Sequence, residues 1–346
     1  MQTKVAANAL AMKRWLDNAE TAVANHSDRL NAINIFPVAD GDTGTNLYLT
    51  VRAAARALHN PAGQDEAIPA DAGQSDVGAV LARAGRAAME QARGNSGTLF
   101  AVFLCAAAEP LAGHTRLTST LLAAALNRAQ IRAWSALSDP VPGTMLSVME
   151  AAARAAAAVD AGHNGDDSNQ ALGKALDAAV NGALEAVVST ESQLAALEAA
   201  HVVDAGGVGM LLILDCLRSA VLGEGLQGEL LDGLHGYDVQ DPHIHADMPV
   251  DDGVEVMCTI SLSPLSAATL RQRLDEIGES VIMSQVDSLA DAEGSYRWRV
   301  HVHVPDSVPA VALIRSLGEP SDISVSELAM ARDPEPAPVN SSGHER

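Results

Sequence analysis

The sequence predicts two domains of different class: an all-α helical bundle over residues 1–222, then an α+β domain over residues 253–332. Three observations carry this reading. Through residue 222 apolar side chains recur at helical spacing, and no segment shows the period-two alternation of a strand. Past residue 253 that alternation is plain, in Val254–Leu262 and again in Tyr296–Val304. Between the two, residues 223–252 are dominated by glycine, aspartate, histidine and proline, the composition of a linker.

A chain of 346 residues fits two domains. Its apolar fraction of 48% supports a sizeable core, but aromatics are only 3%, so alanine and leucine do most of the filling. That favours helices packed closely through small side chains. A net charge of −22 argues against nucleic acid and against an anionic membrane surface, both of which select lysine and arginine. Cys105, Cys216 and Cys258 are odd in number and far apart, unlike a disulfide framework. No basic segment leads into an apolar one at the N-terminus, and no bilayer-spanning run stands out, so the expected location is cytoplasmic.

Taken in order, residues 4–24 form a helix with Val5, Leu10, Met12, Leu16, Ala19 and Val23 on one face. A short second helix over 27–33 takes Ser27 as its cap, and a third covers 45–59. Residues 60–74, with Pro61, Gly63, Pro69 and Gly73, read as a surface loop. Ser75 or Asp76 caps a helix to residue 92, and another opens after Gly94 and runs to 111. Further helices cover 118–137, 144–159, 169–201 (as one long or two short) and 205–222. In the second domain, helices at 266–277 and 309–317 separate strands at 254–262, 280–286, 296–304 and 322–328. The order βαββαβ is that of a ferredoxin-like sheet. Residues 333–346, rich in proline, serine and charge, read as a disordered tail.

The densest chemistry lies in Asp40-Gly41-Asp42-Thr43-Gly44-Thr45-Asn46. Two carboxylates one residue apart suit a hard cation such as Mg²⁺, and the following helix N-terminus offers N–H groups to the phosphates such a cation bridges. Asp-Gly and Thr-Gly are equally ordinary turn signals. Three more glycine-bearing turns open helices: Arg93-Gly94-Asn95-Ser96-Gly97, Pro142-Gly143-Thr144-Met145 and Asp204-Ala205-Gly206-Gly207. Each alone is also explained as a helix–helix corner. No G-x-x-x-x-G-K-[ST] loop is present, which excludes the usual P-loop machinery. In the strand Tyr296–Val304, His301 and His303 share a face. If the first and third strands are central neighbours, Cys258 comes close to both, and one thiolate with two imidazoles suits Zn²⁺. A fourth ligand would be water, a nearby carboxylate, His243 or His245. Two solvated histidines and a buried cysteine account for the same pattern without a metal.

The string running from Asn34 through Phe36-Pro37-Val38-Ala39-Asp40-Gly41-Asp42 to Asn46 resembles the metal loop of the dihydroxyacetone kinase L-subunit superfamily. Within it the string is most similar to the catalytic subunit of bacterial fatty acid kinases. The other three turns fall in the family's order, so the resemblance covers residues 1–222. It implies a barrel of about eight helices with the loops gathered at one end. It further implies ATP or ADP as ligand, with Asp40 and Asp42, together with Asn34, holding one or two Mg²⁺ ions. Thr43, Gly44, Thr45, Asn46, Gly94, Asn95, Ser96, Gly97, Gly143, Thr144, Met145, Asp204, Gly206 and Gly207 would line the nucleotide. The middle domain of the fatty acid kinase catalytic chain carries a similar Cys-Thr strand and a Val-His-Val-His strand, which implies Zn²⁺ at Cys258, His301 and His303. Leu47, where methionine is usual, and Asp139 and Pro142 ahead of Gly143 are small departures.

The function so implied is an ATP- and Mg²⁺-dependent kinase whose acceptor is carried by another protein. For fatty acid kinases that acceptor is a fatty acid on a DegV-type binding protein, and the product is an acyl phosphate. For dihydroxyacetone kinases it is a triose on the K-subunit, but that family does not need residues 253–332. The family's large third domain has no counterpart here, which leaves acceptor recognition open. A nucleotide- and zinc-binding regulatory protein is the non-enzymatic alternative, and the intact Asp40 and Asp42 weigh against it. The oligomeric state is left open, a homodimer among the options.

Overall fold

The computed structural model describes residues 6–59, 75–163, 165–237, 253–287 and 289–328. The loop expected over 60–74, the linker residues 238–252 with His243 and His245, and the tail over 333–346 lie outside the described residues.

The helical domain is a closed ring. Its helices are α1 (Ala9–Ala32), α2 (Thr43–His59), α3 (Val77–Gln91), α4 (Gly94–Ala108), α5 (Ser119–Ala136), α6 (Met145–Gly162), α7 (Asn169–Gln193), the short α8 (Ala195–Ala200) and α9 (Ala205–Leu222). Each long helix packs on the next, and α9 closes the ring between α7 and α1, giving a barrel of eight long helices among the described residues. Alanines at the contacts let the backbones approach, as Ala11, Ala19 and Ala22 of α1 do. The Trp15 indole N–H donates to the Ile213 carbonyl at 2.9 Å, pinning α1 to α9.

Capping residues start the helices where expected. Asp76, Thr118, Thr144, Ser168 and Asp204 each accept a backbone N–H of the first turn. The first helix differs from expectation: residues 9–32 form one helix capped by Asn8, so Ser27 lies inside it. Nothing around Ser27 breaks the chain, and Leu30 continues the buried stripe of Leu16, Ala19 and Val23.

Helix α9 has a mean hydropathy of 1.7 and is long and apolar enough to cross a membrane, yet all its 18 residues are buried in the barrel. The segment after it is not a free linker at its start. Arg218 in α9 donates to Asp215 (2.8 Å), Glu224 (2.7 Å) and the Gly225 carbonyl (3.0 Å). Leu230, Leu231, Leu234 and Tyr237 are buried in the barrel core. Full burial of such a side chain is worth about 1.5–3 kcal/mol, enough to hold the segment down.

The second domain runs β1 (Val254–Leu262), α10 (Pro264–Asp275), β2 (Glu279–Gln285), β3 (Tyr296–Val304), α11 (Ser307–Leu317) and β4 (Pro320–Glu327). The sheet order is β2-β3-β1-β4, antiparallel throughout, a ferredoxin-like arrangement with β1 and β3 central. One face, with Val256, Cys258, Ile260, Val300 and Val302, packs under α10 and α11. The other face packs on the barrel, where Ile282 and Val286 join the helical core. Arg299 donates to the Ala92 carbonyl at the end of α3 at 3.2 Å, and Arg297 pairs with Glu90 at 3.0 Å. This docking brings β1 and β3 over the loops that precede α2 and α4.

Candidate functional site

The loop between α1 and α2 is held from behind. Asn31, in the last turn of α1, accepts from Gly44 N at 2.8 Å and Thr45 N at 3.1 Å, and donates to the Thr45 hydroxyl at 2.9 Å. Gly41 takes a φ of +66°, which a glycine adopts without strain. Asn34, 3% exposed, donates its side-chain amide to Asp40 Oδ1. The Asp42 carboxylate is hydrogen-bonded by Asn46. The two carboxyls therefore sit together and half-buried. Burial, and then the charge of Asp42, pushes Asp40 up to about 8; burial also raises Asp42. A pair of buried carboxylates with hard oxygen donors fits a divalent cation, whose charge would offset that penalty.

Two cavities meet at this loop. One, of 690 Å³, is lined by Thr43, Asn95, Ser96, Thr144, Met145, Asp204 and Gly206 from the helical domain. The other, of 40 Å³, holds Asn34, Asp40 and Asp42 on one side and Glu255 and His303 on the other. Thr43, Asn95 and Ser96 line both, so they mark the junction.

The four loops do not contribute alike. The expected N–H donors at Gly44, Thr45 and Asn46 are already taken, the last by the Asp42 carbonyl at 2.9 Å. Thr144 and Asp204 cap their own helices. Helix α4 alone among these opens without a capping side chain, at Arg93, and its first residues Asn95 and Ser96 line both cavities. Its first turn is therefore the anion cradle of the set. Gly44 and Gly97 serve packing instead: a Cβ on Gly97 would lie 2.3 Å from Thr50 Oγ1, and one on Gly44 2.2 Å from the Ser27 carbonyl. Gly143, at a φ of +83°, faces Gln193, and Gly207 gives its N–H to Asp204 at 2.7 Å.

The metal set expected on the sheet is not the one assembled. His301 pairs with Met257 and His303 with Glu255, so the face carrying both histidines is the Glu255 face. Cys258 pairs with Val300 and points into the core under the helices. Side chains alternate along a strand, so a one-residue offset puts Cys258 on the wrong side. The ligand atoms of Glu255, His301 and His303 lie within 4.8 Å of one another. His301 Nδ1 is 3.2 Å from Glu255 Oε1. His301 Nε2 and His303 Nδ1 are buried with no hydrogen-bond partner among the described residues. Such orphaned nitrogens fit a metal ion. Burial, with His301 adding to it, pushes His303 down to about 3, while burial is outweighed at Glu255 by the histidines, which hold it down to about 2. Glu255 was legible only through strand register; its place opposite His303 is its sole sequence signal.

A helical barrel with an acidic, anion-binding end, capped there by a ferredoxin-like domain bearing a His–Glu cluster, defines a kinase-like two-domain protein. The comparisons agree. A family model of the DAK2 domain matches residues 37–219, and one of the FakA-like middle domain of fatty acid kinases matches residues 253–333. The chain belongs to the DAK2-domain family, with the domain architecture of a FakA-like fatty acid kinase protein. It is similar to uncharacterized proteins of Staphylococcus aureus strains RF122 and USA300, each 25% identical over 289 residues. Those matches cover 81% of this chain and 48% of each relative, so the chain spans about half the length of the curated relatives it matches.

Proposed function

We propose that this protein is an ATP- and Mg²⁺-dependent kinase acting on a fatty acid carboxylate presented by a DegV-type binding protein. The γ-phosphoryl group would pass from ATP to a carboxylate oxygen, leaving ADP and an acyl phosphate. The observation that carries the reading is the junction of the two cavities. There the Asp40–Asp42 pair meets the uncapped start of α4.

Asp40 and Asp42 would hold Mg²⁺, with Asn34 orienting Asp40. When bound, Mg²⁺ supplies charge neutralisation on the transferring group. The N–H groups at the start of α4 orient the phosphates, and the large cavity takes the nucleoside. At 690 Å³ it lies within the usual range of about 300–1,000 Å³ for small-molecule sites. Glu255, His301 and His303 would hold Zn²⁺ across the small cavity from the aspartates. The free state of all three cysteines accords with a reducing, cytoplasmic setting.

Calorimetric titration with ATP, with and without Mg²⁺, tests the site. Binding should require Mg²⁺ and weaken about a hundredfold or more in Asp40→Ala. Equal binding by Asp40→Ala would refute the assignment.

A further inference from the structure

The wall of the large cavity that faces the helical loops comes from the second domain. Gly278, Glu279, Ser280 and Val281, the turn into β2, line it opposite Asn95 and Thr144. Ser280 has a φ of +52°, a left-handed conformation unusual for serine. The β2–β3 register shifts between Glu279 and Ile282, so the turn bulges away from the sheet. The bulge turns the Val281 carbonyl outward, where it accepts the Ser138 N–H at 3.0 Å. Leu137 bridges to Ile282, and Arg271 of α10 donates to the Ser138 hydroxyl at 2.9 Å and the Ser135 carbonyl at 3.1 Å. These contacts fix the turn against the loop between α5 and α6, which also borders the cavity.

The turn is held just as firmly from its own sheet. A Cβ on Gly278 would lie 2.3 Å from the His303 carbonyl. A non-glycine residue held left-handed, in a bulge, at a cavity wall, with both sides anchored, has no packing role that a regular strand would not fill as well. Such strain collects where a backbone must present itself to a ligand.

We propose that the 278–281 turn is a positioning element of the nucleotide site, with Ser280 facing the bound nucleotide, so that the second domain completes a pocket the helical loops begin. The inference rests on the large cavity being the nucleotide site. Nucleotide binding and domain docking are then coupled.

Hydrogen exchange on the full chain, with and without Mg·ADP, tests it without mutation. Protection is expected in peptides spanning 276–286 as well as at the openings of α4 and α6. Protection at α4 and α6 with none across 276–286 would overturn the proposal and leave the nucleotide site standing. No protection anywhere, with no binding by calorimetry, would remove both. As a second arm, Ser280→Trp should weaken Mg·ATP binding about tenfold or more, while Ala268→Trp, on the exposed side of α10, should not. Folded Ser280→Trp protein with unchanged affinity would also overturn it.

Discussion

Asp204 caps α9 from a buried position, and burial pushes its carboxyl up to about 7 against hydrogen bonds from Gly207 and Met145 that lower it. The ordinary value is 3.8, so the folded chain holds this proton the more tightly. Its contribution to stability is therefore full at acid pH and is lost as pH rises through about 7. Asp204→Asn keeps a capping side chain and removes the titration. Relative to the parent, it should gain about 2–3 kcal/mol between about pH 5 and pH 8 in urea denaturation. A difference that does not change with pH would show that Asp204 stays charged in the fold. The sheet cluster gives a second residue-level expectation. Zinc retained through dialysis, measured by mass spectrometry, should be lost in Glu255→Gln and His303→Ala but kept in Cys258→Ser. Loss in Cys258→Ser alone would restore the cysteine as a ligand. The aspartate pair was legible in the sequence because its ligands are neighbours in the chain. Glu255 was not, because its place beside His303 depends on a pairing across 48 positions, and one residue of offset exchanged it for Cys258.

Among the elements, the helix openings were readable because a cap is a local event: Asp76, Thr118, Thr144 and Asp204 sit where the sequence puts them. What the sequence did not separate is a glycine that cradles a ligand from one that admits a neighbouring helix. Gly97 is of the second kind. Its α4 backbone passes close to α2, within reach of Thr50 Oγ1 and the Asn46 carbonyl. Gly97→Ala should cost about 1–3 kcal/mol by overpacking, read as a lower thermal midpoint. An unchanged midpoint would mean that the two helices can part freely. Only tertiary packing reveals this, as it reveals why Ser27 starts no helix and why Leu230, Leu231 and Leu234 hold a glycine-rich segment on the barrel. The spacing of those leucines was the available signal, and the surrounding glycines masked it.

For the whole molecule, the two domains were visible as a change of hydrophobic period, but their mutual placement was not. No local rule says that the outer face of the sheet will close over the loops before α2 and α4. The buried Arg299, reaching the end of α3, and the Ser138–Val281 bond are what set it. That placement brings carboxylates of one domain opposite the His–Glu cluster of the other and walls the large cavity on both sides. The account's central claim is that this composite end of the barrel is a phosphoryl-transfer site. The most direct measurement is transfer of labelled γ-phosphate from Mg·ATP to fatty acid loaded on a DegV-type protein, with Asp40→Ala as control. Dihydroxyacetone with a K-subunit serves as the competing acceptor. Label appearing in acyl phosphate, and not with Asp40→Ala, is the predicted result. Mg²⁺-dependent ATP binding with no transfer to either acceptor would contradict it and make the protein a nucleotide-binding regulator.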